Sequence, residues 1–328
     1  MKEKTNKTRD QLAQTFISAL NENTLPWVQG WRSSAPRYKM HESYGSGKKY
    51  RGVNALYLWI VGMNKGYQDH RWCTFNQIKE MEWHLKKDSK GAHIEYWYVW
   101  DTEKKVSLTF AQAREIIKKD KEREKDMVPN FRNYVVFNGD CIDGIPQLEK
   151  EVVKTPIFTN TMLKHLLSNY LKNAGVAFGE HGSKCFYSPT EDKIYLPPPH
   201  FFISEMEFYS TALHECAHST GHERRLKRDL SGSFGTESYA KEELRAEIAS
   251  AFVLSDCGLS MPQSLIDNNK AYIQSWIKDI KDKPNELFQA IKEADTIGDF
   301  VCEKGYLLEI QERKREQLMV PVAVPDIA

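Results

Sequence analysis

The sequence contains no apolar run near the roughly 20 residues that a membrane-spanning helix needs, and its charged start, Met1 to Lys7, does not lead into an apolar signal core. A soluble, cytoplasmic protein with no membrane partner is expected. The six cysteines, at 73, 141, 185, 216, 257 and 302, include no C-x-x-C pair. That excludes both a disulfide framework and a cysteine-ligated zinc site, and leaves small buried thiols in a reducing compartment. Internal repeats and low-complexity tracts are absent. What is present is 41% hydrophobic residues over 328 positions, enough for cores and the right length for two domains.

A net charge of +1 conceals an asymmetry. Residues 1–110 carry 18 Lys/Arg against 11 Asp/Glu, whereas the remainder carries 28 against 34. Seven of the eight tryptophans also fall in the basic part. Two compositions in one chain point to two functions.

Leu12, Phe16 and Leu20 recur at four-residue spacing and predict a helix over 8–21. Pro26 with Trp27 and Trp31 breaks that pattern, and Gly45 to Lys49 reads as a turn or loop. Val53–Val61 predicts a short apolar helix capped near Asn54. Thr74 and Gln77 form a capping-box pair that opens another helix. His93–Trp100 and Tyr134–Phe137 are rich in aromatic and β-branched residues and predict strands. The densely charged stretch 114–126 suits an exposed helix or a hairpin insertion. Later come a helix over 161–173, strands around 184–196, helices over 205–220 and 237–255, and two more helices through 300. This order predicts an α+β protein with boundaries at 1–146, 147–310 and a loose tail at 311–328.

Ser204 and Glu207 predict the start of the 205–220 helix, and Gly221 its end as a C′ residue. Within it, His214-Glu215-Cys216-Ala217-His218 puts two imidazoles on one helix face, one turn apart. Such a pair can share a zinc ion with Zn–N distances of roughly 2.0–2.1 Å. Glu215 can then serve as the general base. A third ligand is expected from the helix after Thr236, where Glu243 and Glu247 lie one turn apart. Glu243-Leu244-Arg245-Ala246-Glu247 is similar to the E-x-x-A-D pattern of glutamate-type zinc peptidases. That similarity implies Glu243 as the ligand and Glu247 as the partner that orients a ligand histidine; the spacing alone leaves the reverse order open. Glu242 is expected on a solvated helix face, and His222 beyond the helix end, outside the metal ligands.

Tyr50-Arg51-Gly52-Val53-Asn54, Trp72-Cys73-Thr74-Phe75-Asn76-Gln77 and Tyr134-Val135-Val136-Phe137-Asn138 resemble the N-terminal domain of ArdC-like antirestriction proteins. Tyr187, Asp192-Lys193-Ile194, Pro197 and His214–His222 with Arg225-Leu226 resemble their metallopeptidase-like C-terminal domain. The resemblance spans residues 8–305, with the motifs in the family's order. It implies a single-stranded-DNA-binding domain and a zincin-like domain in a protein of a mobile genetic element, connected with conjugation and with protecting incoming DNA from restriction. Cys216, where an apolar residue is expected, and the enlarged stretch 114–126 depart from the pattern.

Binding single strands without strong sequence preference requires cations for phosphates and open aromatic faces for bases. Lys48, Lys49, Tyr50, Arg51, Asn54, Arg71, Trp72 and Phe75 are the candidates, and most other tryptophans are expected in cores. The reading is therefore a single-strand binder carrying a Zn²⁺ hydrolase site at His214, His218 and Glu243, with a protein as the possible substrate. Two alternatives stand beside it: a non-catalytic DNA-shielding protein with a structural zinc, and a zinc peptidase whose N-terminal domain docks a protein partner.

Overall fold

The computed structural model describes residues 7–21, 42–44, 49–147, 157–232, 236–259, 276–278, 280–281 and 283–312. The Pro26–Trp31 break, the Gly45–Lys48 loop and residues 313–328 of the expected tail lie outside them. Among the described residues, no helix is long and apolar enough to cross a membrane. The architecture is α+β and has two compact units.

The smaller unit comprises residues 41–50 and 64–148. Its sheet has the order β1 (Glu42–Ser43), β2 (Arg71–Thr74), β6 (Met127–Asn138), β4 (Ala92–Asp101), β5 (Val106–Leu108). β1 runs parallel to β2, and the other pairings are antiparallel. A short second ribbon pairs β3 (His84–Leu85) with β7 (Ile142–Asp143). Thr74 caps α3 (Phe75–Glu80) in a complete capping box with Gln77, as the sequence predicts. β4 and β6 stay in unbroken register from Ala92↔Val136 to Asp101↔Met127, so both strands exceed their predicted lengths. The charged stretch 114–126 is an insertion between β5 and β6, formed by α4 (Phe110–Lys119) and a 3₁₀ turn over Lys121–Asp126. Arg123 anchors the insertion by donating to both carboxylate oxygens of the fully buried Asp101, each at 2.7 Å.

The larger unit groups residues 1–40 and 51–63 with 149–328, so it is not divided at 146/147. The reason is packing. Leu12, Phe16 and Leu20 of α1 (Lys7–Asn21) are all buried, and Arg9 lies over the ring of Phe288, 5.0 Å from its centroid, on the late helix α8 (Pro284–Lys304). α2 (Gly52–Lys65) starts with Gly52 at φ +51°, a conformation that disfavours a side chain. Asn54 therefore sits inside the first turn and is not the cap. The remaining elements are α5 (Ile157–Ala174), β8 (Ala177–Glu180), β9 (Phe186–Ser188), β10 (Lys193–Leu196), α6 (Glu205–Ser219) and α7 (Glu237–Asp256). Their three strands order as β8-β10-β9, with β9 at one edge. The buried Tyr170 hydroxyl of α5 donates to the Cys216 carbonyl at 3.1 Å and sits 2.7 Å from Ser219 Oγ, tying α5 to α6. Cys216 is fully buried, so it fills the apolar position expected there.

Trp72 of β2 is 0% exposed and has no ring face for a base to stack on. Its place is the core of the smaller unit, where Tyr67 meets it edge-on at 6.1 Å. Trp72→Ala should cost about 3–5 kcal/mol in a denaturant melt. Trp72→Phe should leave oligonucleotide affinity unchanged by fluorescence anisotropy.

Candidate metal centre

Ser204 caps α6 by accepting from the Glu207 N–H. The Glu207 carboxylate reaches past the cap to the Ile203 N–H at 2.9 Å, so the box is half formed. At the other end Gly221 lies against the tip of the Leu230 side chain, which a Cβ would meet at 2.8 Å and push aside. Thr236 caps α7 by accepting from the Tyr239 N–H. The two capped helices pack together and bring His214, Glu215 and His218 of α6 against Glu242, Glu243 and Glu247 of α7.

His214 and His218 meet with their Nε2 atoms 3.1 Å apart. The two oxygens of Glu243 lie 3.5 Å from these nitrogens, one from each. One donor atom from each of the three residues falls within 4.8 Å of the others. A tetrahedral centre with bonds of about 2.0–2.1 Å has donor–donor edges of about 3.3 Å. The spacing and the two-nitrogen, one-carboxylate chemistry therefore fit a zinc-sized cation.

The outer nitrogens are each faced by a carboxylate. Glu247 Oε1 lies 3.4 Å from His214 Nδ1, the orienting place the sequence gives it. Glu242 Oε1 lies 3.2 Å from His218 Nδ1. Glu242 is buried, not on a solvated face, which corrects the sequence expectation. Arg228 explains how a carboxylate is tolerated there. Its guanidinium donates to Glu242 from Nη2 at 2.7 Å and from Nε at 3.1 Å. It also donates to Thr220 Oγ1 at 2.6 Å and to the Ala217 carbonyl at 2.9 Å. No spacing rule connects Arg228, on the connection after α6, to Glu242; only the folded loop brings them together.

Burial opposes charge on every group here, and the neighbours decide the outcome. For Glu243 burial is outweighed by His214 and His218, which hold its carboxyl well below the usual range. Glu242 is likewise lowered against burial, by His218 and Arg228. Burial would lower both imidazoles, but Glu243 with Glu247 raises His214, and Glu242 with Glu243 raises His218. Glu215 goes the other way: burial raises its carboxyl, and the two imidazoles only partly offset this. The Tyr187 N–H of β9 also hydrogen-bonds it.

A cavity of about 370 Å³ opens onto this cluster, lined by Cys185, Phe186 and Tyr187 on one side and by Ser238 and Tyr239 on another. His222 stays outside the cluster, as expected, with Nδ1 3.8 Å from Asp192. Asp192 in turn is gripped by Arg225 and accepts from the Tyr187 hydroxyl at 2.8 Å.

The described DNA candidates are divided between the two units. Arg51 is ion-paired to Asp295 at 3.1 Å and to Asp299, and it belongs with Asn54 to the larger unit. Arg71 is clamped by Asp69 at 2.6 Å and donates to the Pro146 carbonyl at 2.7 Å. Tyr50 is half-buried, and its phenol is pushed up to about 12 chiefly by burial. Lys49 and Phe75 are exposed, Phe75 by 58%; Lys48 lies outside the described residues. Sequence neighbours do not disclose which arginines already have an acid.

A donor set of two histidines one turn apart on one helix and a carboxylate on the next defines a zincin-like metallopeptidase domain. The family model for that domain matches residues 166–293, and the model for the N-terminal domain of anti-restriction factor ArdC matches residues 6–137. The chain therefore carries both an ArdC-type N-terminal domain and a zincin-like metallopeptidase domain. The solved antirestriction ArdC protein from plasmid R388 is 27% identical in its metal-free form, covering 91% of this chain and 97% of that one with a TM-score of 0.68. Its Mn(II)-bound form gives a TM-score of 0.69 at 28% identity, covering 90% and 97%. The DNA primase TraC of Escherichia coli is 34% identical over 95% of this chain. The chain spans only 28% of that primase and 19% of a second TraC primase. The uncharacterised protein y4eC of Sinorhizobium fredii is 27% identical over 89% of this chain and 90% of its own length.

Glu242→Gln and Arg228→Met should each weaken metal binding about 10–100-fold, read by competition with a chromophoric chelator. Far-UV circular dichroism should be unchanged.

Proposed function

We propose that the chain is a cytoplasmic, zinc-dependent metallopeptidase-like protein that also binds single-stranded DNA, and that it protects incoming mobile-element DNA from restriction. The unit of residues 41–50 and 64–148 carries the nucleic-acid function, and the unit that contains α6 and α7 carries the hydrolase site. The observation that carries the hydrolase reading is the convergence of His214, His218 and Glu243 beside the buried Glu215, at the edge of a cavity.

His214, His218 and Glu243 would hold the ion, with Glu242 and Glu247 fixing the imidazoles so that Nε2 faces inward. When bound, zinc supplies Lewis acidity that polarises a carbonyl and makes water easier to deprotonate. Glu215 takes the proton of the attacking water, and its raised pKa suits it to keep that proton until the leaving amine accepts it. β9 sits at the sheet edge and lines the cavity, so an extended peptide can pair along Phe186–Ser188 and bring its carbonyl to Glu215. The edge strand beside the cavity is what supports a protein as the substrate. An ion held by three protein ligands would have room for a water, a donor set that favours catalysis over a closed structural site.

Glu215→Gln should retain about one zinc per chain by atomic emission and lose peptide hydrolysis by about 100-fold or more. Glu243→Ala should lose the metal, and Glu247→Ala should only weaken it. Unchanged hydrolysis in Glu215→Gln would leave the shielding reading, and tight zinc in Glu243→Ala alone would reverse the order of the two glutamates.

A further inference from the structure

The central part of the β4–β6 ribbon lies between the β2 and β5 pairings: β2 reaches only Val136–Asn138, and β5 only Val99–Asp101. One face of this central part carries Tyr96 and Tyr98 from β4, with Arg132 and Tyr134 from β6. Arg132 is directly opposite Tyr96, and Tyr134 is opposite Ile94. Tyr96 stacks on Tyr98 with centroids 6.5 Å apart and meets Tyr134 edge-on at 6.3 Å. Tyr96 is 51% exposed and Tyr134 39%.

Arg132 is the unusual member. Its guanidinium lies 4.9 Å from the Tyr98 centroid, and the groups interacting with its charge are the phenols of Tyr134 and Tyr98. Among the described residues no carboxylate lies within ion-pair range of it. Arg71 and Arg123 of the same unit are both committed to aspartates. An exposed guanidinium, oriented by tyrosines and lacking an acid, is set to accept an external anion between aromatic rings. The opposite face differs: there Trp97 pairs with Phe131 at 5.0 Å and donates to the Glu95 carboxylate at 2.8 Å. That acid is buried and takes up the Trp97 N–H.

We infer that the Tyr96–Tyr134–Arg132 face is where a single-stranded nucleic acid seats, with bases on the two exposed tyrosines and a phosphodiester on Arg132. Alternating ring and cation is the pattern that suits single strands, since every base has a stacking face and every nucleotide a phosphate. The rings of a duplex are already stacked on each other, so duplex DNA cannot use this face in the same way. The inference rests on the single-strand reading above and relocates its contacts from the Lys48–Phe75 stretch.

The test is an anisotropy titration of full-length protein with fluorescent oligo(dT) across a salt series, with unlabelled duplex as competitor. Thermal melts of each variant establish folding. Tyr96→Ala with Tyr134→Ala should weaken binding by about tenfold or more, whereas Tyr96→Phe, which keeps the ring, should bind as wild type. Arg132→Gln should reduce the slope of log affinity against log salt by about 0.7, one phosphate's contribution for a single strand. Phe131→Ser, on the other face, should change neither affinity nor slope. Wild-type affinity in the double tyrosine variant would overturn this placement while leaving single-strand binding standing. Equal loss in Phe131→Ser would assign binding to the opposite face or to the ribbon as a whole and overturn it too. Absence of oligo(dT) binding by the wild type would overturn both the placement and the single-strand reading.

Discussion

Four glutamates are buried where α6 meets α7: Glu215, Glu242, Glu243 and Glu247. Removing that many carboxylates from water is costly unless positive charge is supplied at the same place. Arg228 supplies one cation, with Arg245 a more distant second at 3.9 Å from Glu242. The remaining compensation must come from protonated imidazoles or from a divalent cation held by them. The raised His214 and His218 express the same demand: the site attracts positive charge, and protons and metal compete for Nε2. A metal that binds the native chain and not the unfolded one adds to stability by mass action, so an ion held here would also act as a structural joint between two helices.

That joint needs its helices positioned to within a turn, and the local sequence provides this. Ser204 and Thr236 fix where α6 and α7 begin. The i, i+4 spacing then places His214 with His218 and Glu243 with Glu247 on facing surfaces. Tyr170 ties α6 to α5 through the Cys216 carbonyl and Ser219, and Trp276 donates to the Ala240 carbonyl at 2.7 Å at the start of α7. After α6 the chain folds back with Leu230 against Gly221, and that path carries Arg228 to Glu242.

The pairing of His214 with His218, and of Glu243 with Glu247, on one face of each helix was legible in the sequence because helical periodicity is a short-range rule, satisfied within a few residues. Which glutamate faces both imidazoles was not. The Thr74–Gln77 box and the β4 strand were legible because they too follow short-range rules. Glu242 was misread because its partners lie across a loop and on another helix, where no periodicity applies. Arg51 and Arg71 looked like phosphate contacts for a related reason. Composition records how many cations a stretch contains but not which acids fold against them; Asp69 is two residues from Arg71, whereas Asp295 is distant in sequence from Arg51. The grouping of α1 and α2 with the later helices was hidden in the same way, because an apolar stripe such as Leu12, Phe16, Leu20 shows that a helix face is buried without showing against what.

These cases share one rule: a charged group acts outward only when the fold leaves it without an internal opposite. Arg228 completes Glu242, and Arg225 completes Asp192, so both act inside the molecule, shaping the surroundings of the metal ligands. Within residues 1–110, the two arginines that first drew attention are taken up by acids of this chain, Arg51 by Asp295 and Asp299 and Arg71 by Asp69. What remains for an external partner is set by the exceptions. Arg132 lies outside that basic stretch altogether, among aromatic residues that read as ordinary strand formers. Its significance comes from the unbroken β4–β6 register, which sets it opposite Tyr96 and puts Glu95 on the other face. In this chain the location of a free cation follows from strand alignment, and local charge density is a poor guide to it.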